Sequence, residues 1–519
     1  MFRWRFTQAT ASTKVLKIWV RTGRPAIGYP GALTASRMDK LAIFLVIVAS
    51  ALAFRRWRDG FVLCVVVALA QDPLRKLVTG EPVYFTVLVG VVFGAAWLSA
   101  LHSGVRLGPN AITGWWRQVS APFSLFVAVV VLQAVHSFAR FGSPVVTGIG
   151  LMAYLAPVFA LVLSYQFAVR FGVRGMRRLY GIYAVLAAVW LATVYAEYLG
   201  FDWAVLGEIG EGLRIYDMGT VLTAYSGMFR SSEIAAWHGA TLGCLAFMLL
   251  AGRRLSLPRL ALALAIVAFV VGLGVLTGRR KMLVQIAVFL LSYYALLAWF
   301  GRGQAKASMA IFAGAVGIYV LVGGGLVLNS GDDEAQPPHT TDSRYELYAK
   351  RGTTVAGDIP ERFQELGLAP VQWAINRFGV LGAGLGTGSQ GTQHFTRTVS
   401  SGAAEGGLGK ITMELGVPGL AAVLWLLAAF TRYVWRLLET LSRASPGHAR
   451  LAYGLVAYLI ANAATFSVAT QAYGDLFVLL MLGWATGFLL ALPKIAAMYL
   501  ELAARRYMAL AKLGDAAPA

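Results

Sequence analysis

Three short stretches of this chain carry residue types that do chemistry, and each lies beside a long apolar run. The first is Thr277-Gly278-Arg279-Arg280-Lys281, with three consecutive cations and no acid near them in sequence. Guanidinium groups grip phosphate oxygens in a two-pronged fork. Arg279 and Arg280 are therefore either a seat for an anionic lipid headgroup such as a diphosphate, or side chains reaching for lipid phosphates at the membrane surface. The second stretch is Asp342-Ser343-Arg344-Tyr345-Glu346, where Arg344 is either another anion ligand or a solvated charge paired with Asp342 or Glu346. The third ends at Glu405, which sits among small residues just ahead of an apolar run. Its carboxylate either takes a proton from an attacking hydroxyl or serves as a first-turn acid favoured by the helix dipole. His394 is a second base candidate, or an ordinary loop histidine.

Between Arg344 and Glu405 runs Gly382-Ala383-Gly384-Leu385-Gly386-Thr387-Gly388, too glycine-dense for a regular element and flanked by Arg377 and Arg397. Backbone N–H groups in such a run can approach a ligand closely, which makes Gly382, Gly384 and Gly386 candidate loop-backbone contacts. Gly386 to Gly391 also satisfies G-x-G-x-x-G, but no strand precedes it and no βαβ unit surrounds it, so a dinucleotide site is rejected. Gly409-Lys410 lacks the upstream glycine of a phosphate-binding P-loop. Histidine pairs with zinc-ligand spacing are absent from the sequence, and no metal or other cofactor is expected. Glu414 lies one turn inside the next apolar run, where an acid is costly unless paired; Lys410 or a cation on a neighbouring helix is its expected partner.

The elements that must position these residues are membrane spans. Of the 519 residues, 58% are hydrophobic and 13% charged, and the mean hydropathy is +0.66. Apolar windows recur at 83–101, 119–137, 146–168, 180–199, 234–251, 260–277, 282–300, 309–328, 409–430, 451–470 and 476–493, with weaker ones at 41–54 and 61–71. The expected fold is an all-α polytopic bundle of about 12–13 transmembrane helices, each near the 20 residues that cross a hydrocarbon core. A large outward loop, 329–408, should hold short helices, one over Pro360–Phe378 with Phe363, Leu366, Leu368, Val371, Trp373 and Ile375 on its apolar face.

The net charge of +21 does not imply nucleic acid, because the excess sits in short loops: Arg55 to Arg58, Arg170 to Arg178, Arg253-Arg254, Arg302 to Lys306 and Arg432 to Arg450. That is the positive-inside pattern, which places those loops in the cytoplasm. The loops 201–233 and 329–408 then face outward, and they hold 14 of the 24 acids. Cys64 and Cys244 each lie inside an apolar run, which argues against disulfides. The expected divisions are a basic, disordered 1–37, where either one weak early span does not cross or translation begins at Met38; spans over 38–328; the loop 329–408; spans over 409–493; and an amphipathic cytoplasmic tail 494–519 lying on the membrane.

In this order and placement, the motifs resemble the O-antigen ligase and O-antigen polymerase superfamily, polytopic GT-C-type glycosyltransferases. The matching elements are the Thr277-Gly278-Arg279-Arg280 turn, Ser343-Arg344 early in the large loop, the glycine run, and Glu414-Leu415-Gly416-Val417-Pro418-Gly419 as a Glu-x-Gly-x-x-Gly helix entry. Many family members carry His-Asn just ahead of that entry, where this chain has Glu405-Gly406. The resemblance covers roughly 230–470.

It implies a metal-independent, inverting polysaccharide polymerase or ligase at the periplasmic face of a bacterial inner membrane. Its partners would be an undecaprenyl-diphosphate-linked oligosaccharide donor, a glycan acceptor, membrane lipids, and a chain-length regulator or flippase. Arg279, Arg280 and Arg344 would hold the diphosphate, and Glu405 or His394 would act as base. The rival expectations are a transporter or lipid-linked sugar flippase, which predicts charged or polar residues lining the spans at mid-depth, and a non-catalytic envelope assembly subunit.

Overall fold

Lipid offers no partner to backbone N–H and C=O groups, so apolar runs of bilayer length fold as helices that satisfy their own. The computed structural model describes residues 32–78, 82–108, 112, 114, 116–209, 215–217, 220–222, 224–250, 257–301, 363–388 and 406–515. For 32–38, 116, 215–217, 220–222, 260, 280, 363 and 506–515 it describes the backbone alone. The helices are α1 (Ala32–Arg55), α2 (Gly60–Leu77), α3 (Leu88–His102), α4 (Trp116–Phe141), α5 (Pro144–Tyr198), α6 (Ser232–Leu250), α7 (Leu257–Leu276), α8 (Arg280–Phe300), α9 (Ala369–Phe378), α10 (Gly407–Ala444), α11 (Pro446–Val468) and α12 (Leu476–Asp515). Among the described residues, the exception to an all-helical architecture is a small antiparallel hairpin, Ile215–Asp217 with Thr220–Leu222.

Among the described residues, nine helical stretches are long and apolar enough to cross a membrane. Leu132, Val135 and Phe138 on α4, and Leu262, Leu264 and Val267 on α7, are exposed, as lipid-facing residues must be. This is a multi-pass membrane protein. The weak windows 41–54 and 61–71 fall in α1 and α2, while 309–328 lies outside the described residues.

Two expected spans, 146–168 and 180–199, belong to the single helical stretch α5, which breaks at Gly172 (φ 62°). Only glycine takes that backbone conformation without strain. Contacts with α12 show that the chain folds back there. Gly483 meets Ala160, Gly487 meets Ser164, and the Tyr499 hydroxyl lies 3.5 Å from where a Gly172 Cβ would sit. Beyond the break the order inverts: the Tyr180 ring meets Phe488 edge-on and the Tyr183 ring lies near Phe477. Both arms of α5 thus pack on α12, one parallel and one antiparallel.

The fold-back brings together the basic loops at 55–58, 170–178 and 432–450, while Arg253-Arg254 and Arg302 to Lys306 lie outside the described residues. Trp57, between Arg56 and Arg58, lies 6.3 Å from Phe167 and 6.2 Å from Phe171. His448, just before Arg450, lies 5.6 Å from Tyr499. The opposite end carries buried acidic side chains within ion-pair distance of cations and is called the acidic end below.

Three boundaries differ from expectation. α1 begins at Ala32, inside the segment 1–37, because nothing between Ala32 and Met38 interrupts a helix. α12 continues through Pro493 to Asp515, so the tail extends the last span instead of forming a separate surface helix. One proline removes one backbone bond, and no glycine follows until Gly514. In the large loop, Phe363–Leu368 is a π-helical turn leading into α9. Leu368 and Trp373, expected on its apolar face, are exposed at 52% and 36%.

Candidate functional site

The acidic end is built where α6 starts, where α7 turns into α8, and where α11 gives way to α12. Gly278 (φ 62°) makes the tight α7–α8 turn, and Arg279 leaves it towards the first turn of α6. There Arg279 Nη1 meets Glu233 Oε1 at 3.0 Å and Lys281 Nζ meets the same oxygen at 2.9 Å. Arg279 Nε donates to Ser232 Oγ at 3.1 Å, and Lys281 Nζ to Gln471 Oε1 at 3.1 Å. The cations expected to have no acid nearby in sequence have one in space: Glu233, whose side chain is 5% exposed, against 13% for Arg279. Glu233 Oε2 and Arg279 Nη2 are both buried and without a hydrogen-bond partner.

A narrow cleft adjoins this pair, lined by Glu233, Trp237, Lys281, Gln285, Thr465 and Tyr473 among others. Its walls are fixed by Asn462, whose Oδ1 accepts from Trp237 Nε1 at 2.9 Å, Gln285 Nε2 at 3.3 Å and the Tyr473 hydroxyl at 3.2 Å. One turn of chain away, Arg230 bridges two carboxylates, Asp72 at 3.1 Å and Asp475 at 2.6 Å. Burial disfavours the guanidinium's charge, but the two aspartates outweigh it and push its pKa up. Asp475 also caps α12 by accepting from the Phe477 and Val478 N–H groups at 2.7 and 3.2 Å.

The glycine run makes a second feature at this end. Gly382, Gly384 and Gly386 have φ of 78°, 99° and 81°. Their close approach is to protein: a Cβ at Gly382 would lie 2.8 Å from Gly416 N and from Met413 O, and one at Gly384 3.0 Å from Ser137 Cα. Polar side chains of α4 take the run's carbonyls, Gln133 to Leu381 O and Ser137 to Leu385 O, both at 2.7 Å. The run is therefore wedged against α4, α5 and α10. Behind it, the first part of α10 is buried up to a break at Gly416 (φ 70°). Fully buried Glu414 accepts from the Tyr154 hydroxyl at 2.7 Å and from Gly388 N–H at 2.9 Å. The expected ion pair to Lys410 or another cation does not form among the described residues; a phenol and a backbone amide satisfy the carboxyl instead.

Of the residues singled out from sequence, Arg279 is thus placed in a buried ion cluster. Arg280 opens α8, and its side chain lies outside the described residues, as do Arg344, His394 and Glu405 altogether. Glu233, Arg230, Asp72, Asp475 and Tyr154 were not anticipated. The signal that could have found Asp72 and Glu233 is an acid within or at the mouth of an apolar run, which demands a partner. Among the described residues, no group of His, Cys, Asp or Glu could hold a metal ion. No protein-family model and no curated protein matches the chain.

Proposed function

We propose that the protein is a membrane glycosyltransferase that polymerises or ligates oligosaccharide units carried on a polyprenyl diphosphate, at the outer face of a bacterial inner membrane. The observation that carries the reading is the Arg279–Lys281 turn, held by Glu233 beside a cleft at the end of the bundle opposite the basic loops. The order of motifs shared with O-antigen ligases and polymerases supports it. In this reading Arg279, Arg280 and Arg344 bind the donor diphosphate. A base, Glu405 or His394, takes the proton of the acceptor hydroxyl as its oxygen bonds to the anomeric carbon from the face opposite the leaving group. The bond from that carbon to the phosphate oxygen breaks, and the polyprenyl diphosphate departs with its added negative charge stabilised by the arginines.

The flippase alternative predicts charged or polar residues at mid-depth in the spans. Among the described residues, the ion pairs of the buried acids Asp72, Glu233 and Asp475 with Arg230, Arg279 and Lys281 lie near the end of α2 and the starts of α6, α8 and α12, which favours chemistry at a surface over passage through the bundle. The test is alanine at Arg279, Arg280, Arg344 and Glu405, with membrane insertion and polymer length measured in cells. Loss of polymer with lipid-linked units accumulating on the outer leaflet is the expected result. Unchanged polymer from all four inserted variants refutes it.

A further inference from the structure

Lys410 lies in the first turn of α10 and is 5% exposed. Other lysines that the fold partly encloses are bonded. Lys76 donates to the Val205, Gly227 and Phe229 carbonyls, and Lys281 meets Glu233 and Gln471. Lys410 is more deeply enclosed than Lys281, yet among the described residues its ammonium has no hydrogen-bond or ion-pair partner. Glu414, one turn on, binds the Tyr154 hydroxyl and the Gly388 N–H instead. Lys410 Nζ is not one of the fully covered atoms that lack a partner, so the tip of the side chain is open at the surface.

Its surroundings add to the mismatch. A helix start carries partial positive charge, which repels a cation in the first turn. Side chains on a helix lean towards its N-terminus, and this carries the Lys410 stem towards that charge. The start of α10 is itself uncapped, since Gly406 supplies no side-chain bond. The N–H groups of Gly407, Leu408 and Gly409 have no acceptor within the helix and none elsewhere among the described residues. Carbonyls of Leu366 and Phe466 crowd the positions where Cβ atoms of Gly406 and Gly407 would stand, without bonding these N–H groups. A cation and a positive helix end thus share one corner, and an anionic oxygen at Nζ would answer both.

The same corner carries apolar surface. Pro370 packs on Gly409, and along the segment to which it belongs Leu368, Trp373, Val380 and Leu381 are exposed. The Val380 carbonyl accepts from the Val417 N–H at 2.8 Å, so this strip follows the first part of α10 to its break at Gly416. A positive tip beside an apolar strip fits a molecule that is anionic at one end and apolar at the other. We infer that Lys410, reinforced by the start of α10, seats the phosphate of an anionic lipid whose chain lies along Leu368, Trp373, Val380 and Leu381. A lipid-linked diphosphate and a phospholipid of the bilayer share that chemistry. The seat does not depend on the glycosyltransferase reading; where the diphosphate is the occupant, Lys410 joins the donor's ligands.

The experiment uses the full chain in dodecyl maltoside, a detergent without phosphate, with unfolding followed through the buried thiols Cys64 and Cys244. Before any lipid is added, Lys410→Met should melt about 1–3 °C above wild type, because an uncompensated enclosed charge is gone. Farnesyl diphosphate, phosphatidylglycerol and farnesol are then titrated. A phosphate-bearing probe should raise the wild-type midpoint where farnesol does not, and Lys410→Met and Lys410→Gln should each need at least about tenfold more of it. A response to farnesyl diphosphate alone identifies a lipid-linked diphosphate as the occupant. A response to phosphatidylglycerol alone identifies a bilayer phospholipid, and the seat then stands without supporting the glycosyltransferase reading. The inference falls if Lys410→Met melts below wild type, which would reveal a protein partner for the ammonium. It falls equally if neither phosphate probe outdoes farnesol, or if both variants respond as the wild type does; polymer length in cells then still decides the glycosyltransferase reading by itself.

Discussion

Removing the Arg230 guanidinium tests how the acidic end is held together. Arg230→Ala leaves Asp72 and Asp475, both 3% exposed, facing each other across the space their cation filled. Breaking one partner out of a buried ion pair costs about 3–5 kcal/mol, because the other charge stays buried. Two retained contacts reduce the figure here. Asp475 still accepts from the N–H groups of Phe477 and Val478, and Asp72 still accepts from the Arg230 backbone N–H at 3.1 Å. Arg230 itself is 16% exposed, so some water reaches the gap. We therefore expect about 3 kcal/mol, at the lower end of that range.

In a chain this long, that corresponds to a fall of about 3 °C in melting midpoint. Cys64 and Cys244 are both buried, so a thiol-reactive fluorophore reports unfolding directly in detergent. Asp72→Asn removes one of the stranded charges, and the double variant should therefore be more stable than the sum of the two single effects by at least about 1 kcal/mol. A midpoint for Arg230→Ala within about 1 °C of wild type, or strict additivity in the cycle, would refute the reasoning.

Other substitutions probe the remaining features. Gly386→Ala combines a positive φ with a Cβ driven into the Val146 carbonyl and should cost at least about 2 kcal/mol by the same thermal assay; no shift would mean that the wedge is not packed as described. Tyr154→Phe strips the partner from Glu414 Oε2 and should cost about 1–3 kcal/mol, with much of it recovered when Glu414→Leu is added. Gly487→Leu should abolish monodisperse protein in size-exclusion chromatography, since the helix backbone of α5 occupies that space, whereas Gly181→Leu, with nothing within 4 Å, should be tolerated. Cysteines introduced singly at Arg174 and Asp202 should react with an impermeant maleimide from opposite sides of the membrane; labelling from one side would contradict the fold-back at Gly172.

What could be read from sequence was what local composition dictates. Apolar length gave the helices, the alternation of basic loops gave their grouping at one end, and glycine density gave the irregular stretch at 382–388. The turn at Gly278 and the cations after it were also visible. Their partners were not, because each lies far away in sequence: Arg279 reaches Ser232 across 47 residues, Arg230 reaches Asp72 across 158, and Glu414 reaches Tyr154 across 260. Such pairings are set by which helix packs beside which, and no local pattern encodes that. For Glu414, the sequence correctly required a partner and pointed to the wrong chemistry. A cation four residues earlier on the same helix looked sufficient, but a tyrosine from another helix fills the position. The tail from 494 read as a separate amphipathic helix on the membrane, whereas α12 runs on to Asp515.

The packing of α5 on α12 has a consequence for how the chain is made. Gly483 and Gly487 form a small-residue face that lets the two backbones touch, and the Ser164 hydroxyl reaches the Gly483 carbonyl at a separation of 319 residues. The cell synthesises and inserts the α5 hairpin long before its counterpart leaves the ribosome. Until then the groove meant for α12 must be covered by lipid, by the insertion machinery or by a chaperone. Loss of α12 would therefore leave the centre of the bundle open, and a nonsense mutation just ahead of it should be cleared by membrane proteases as promptly as an early one.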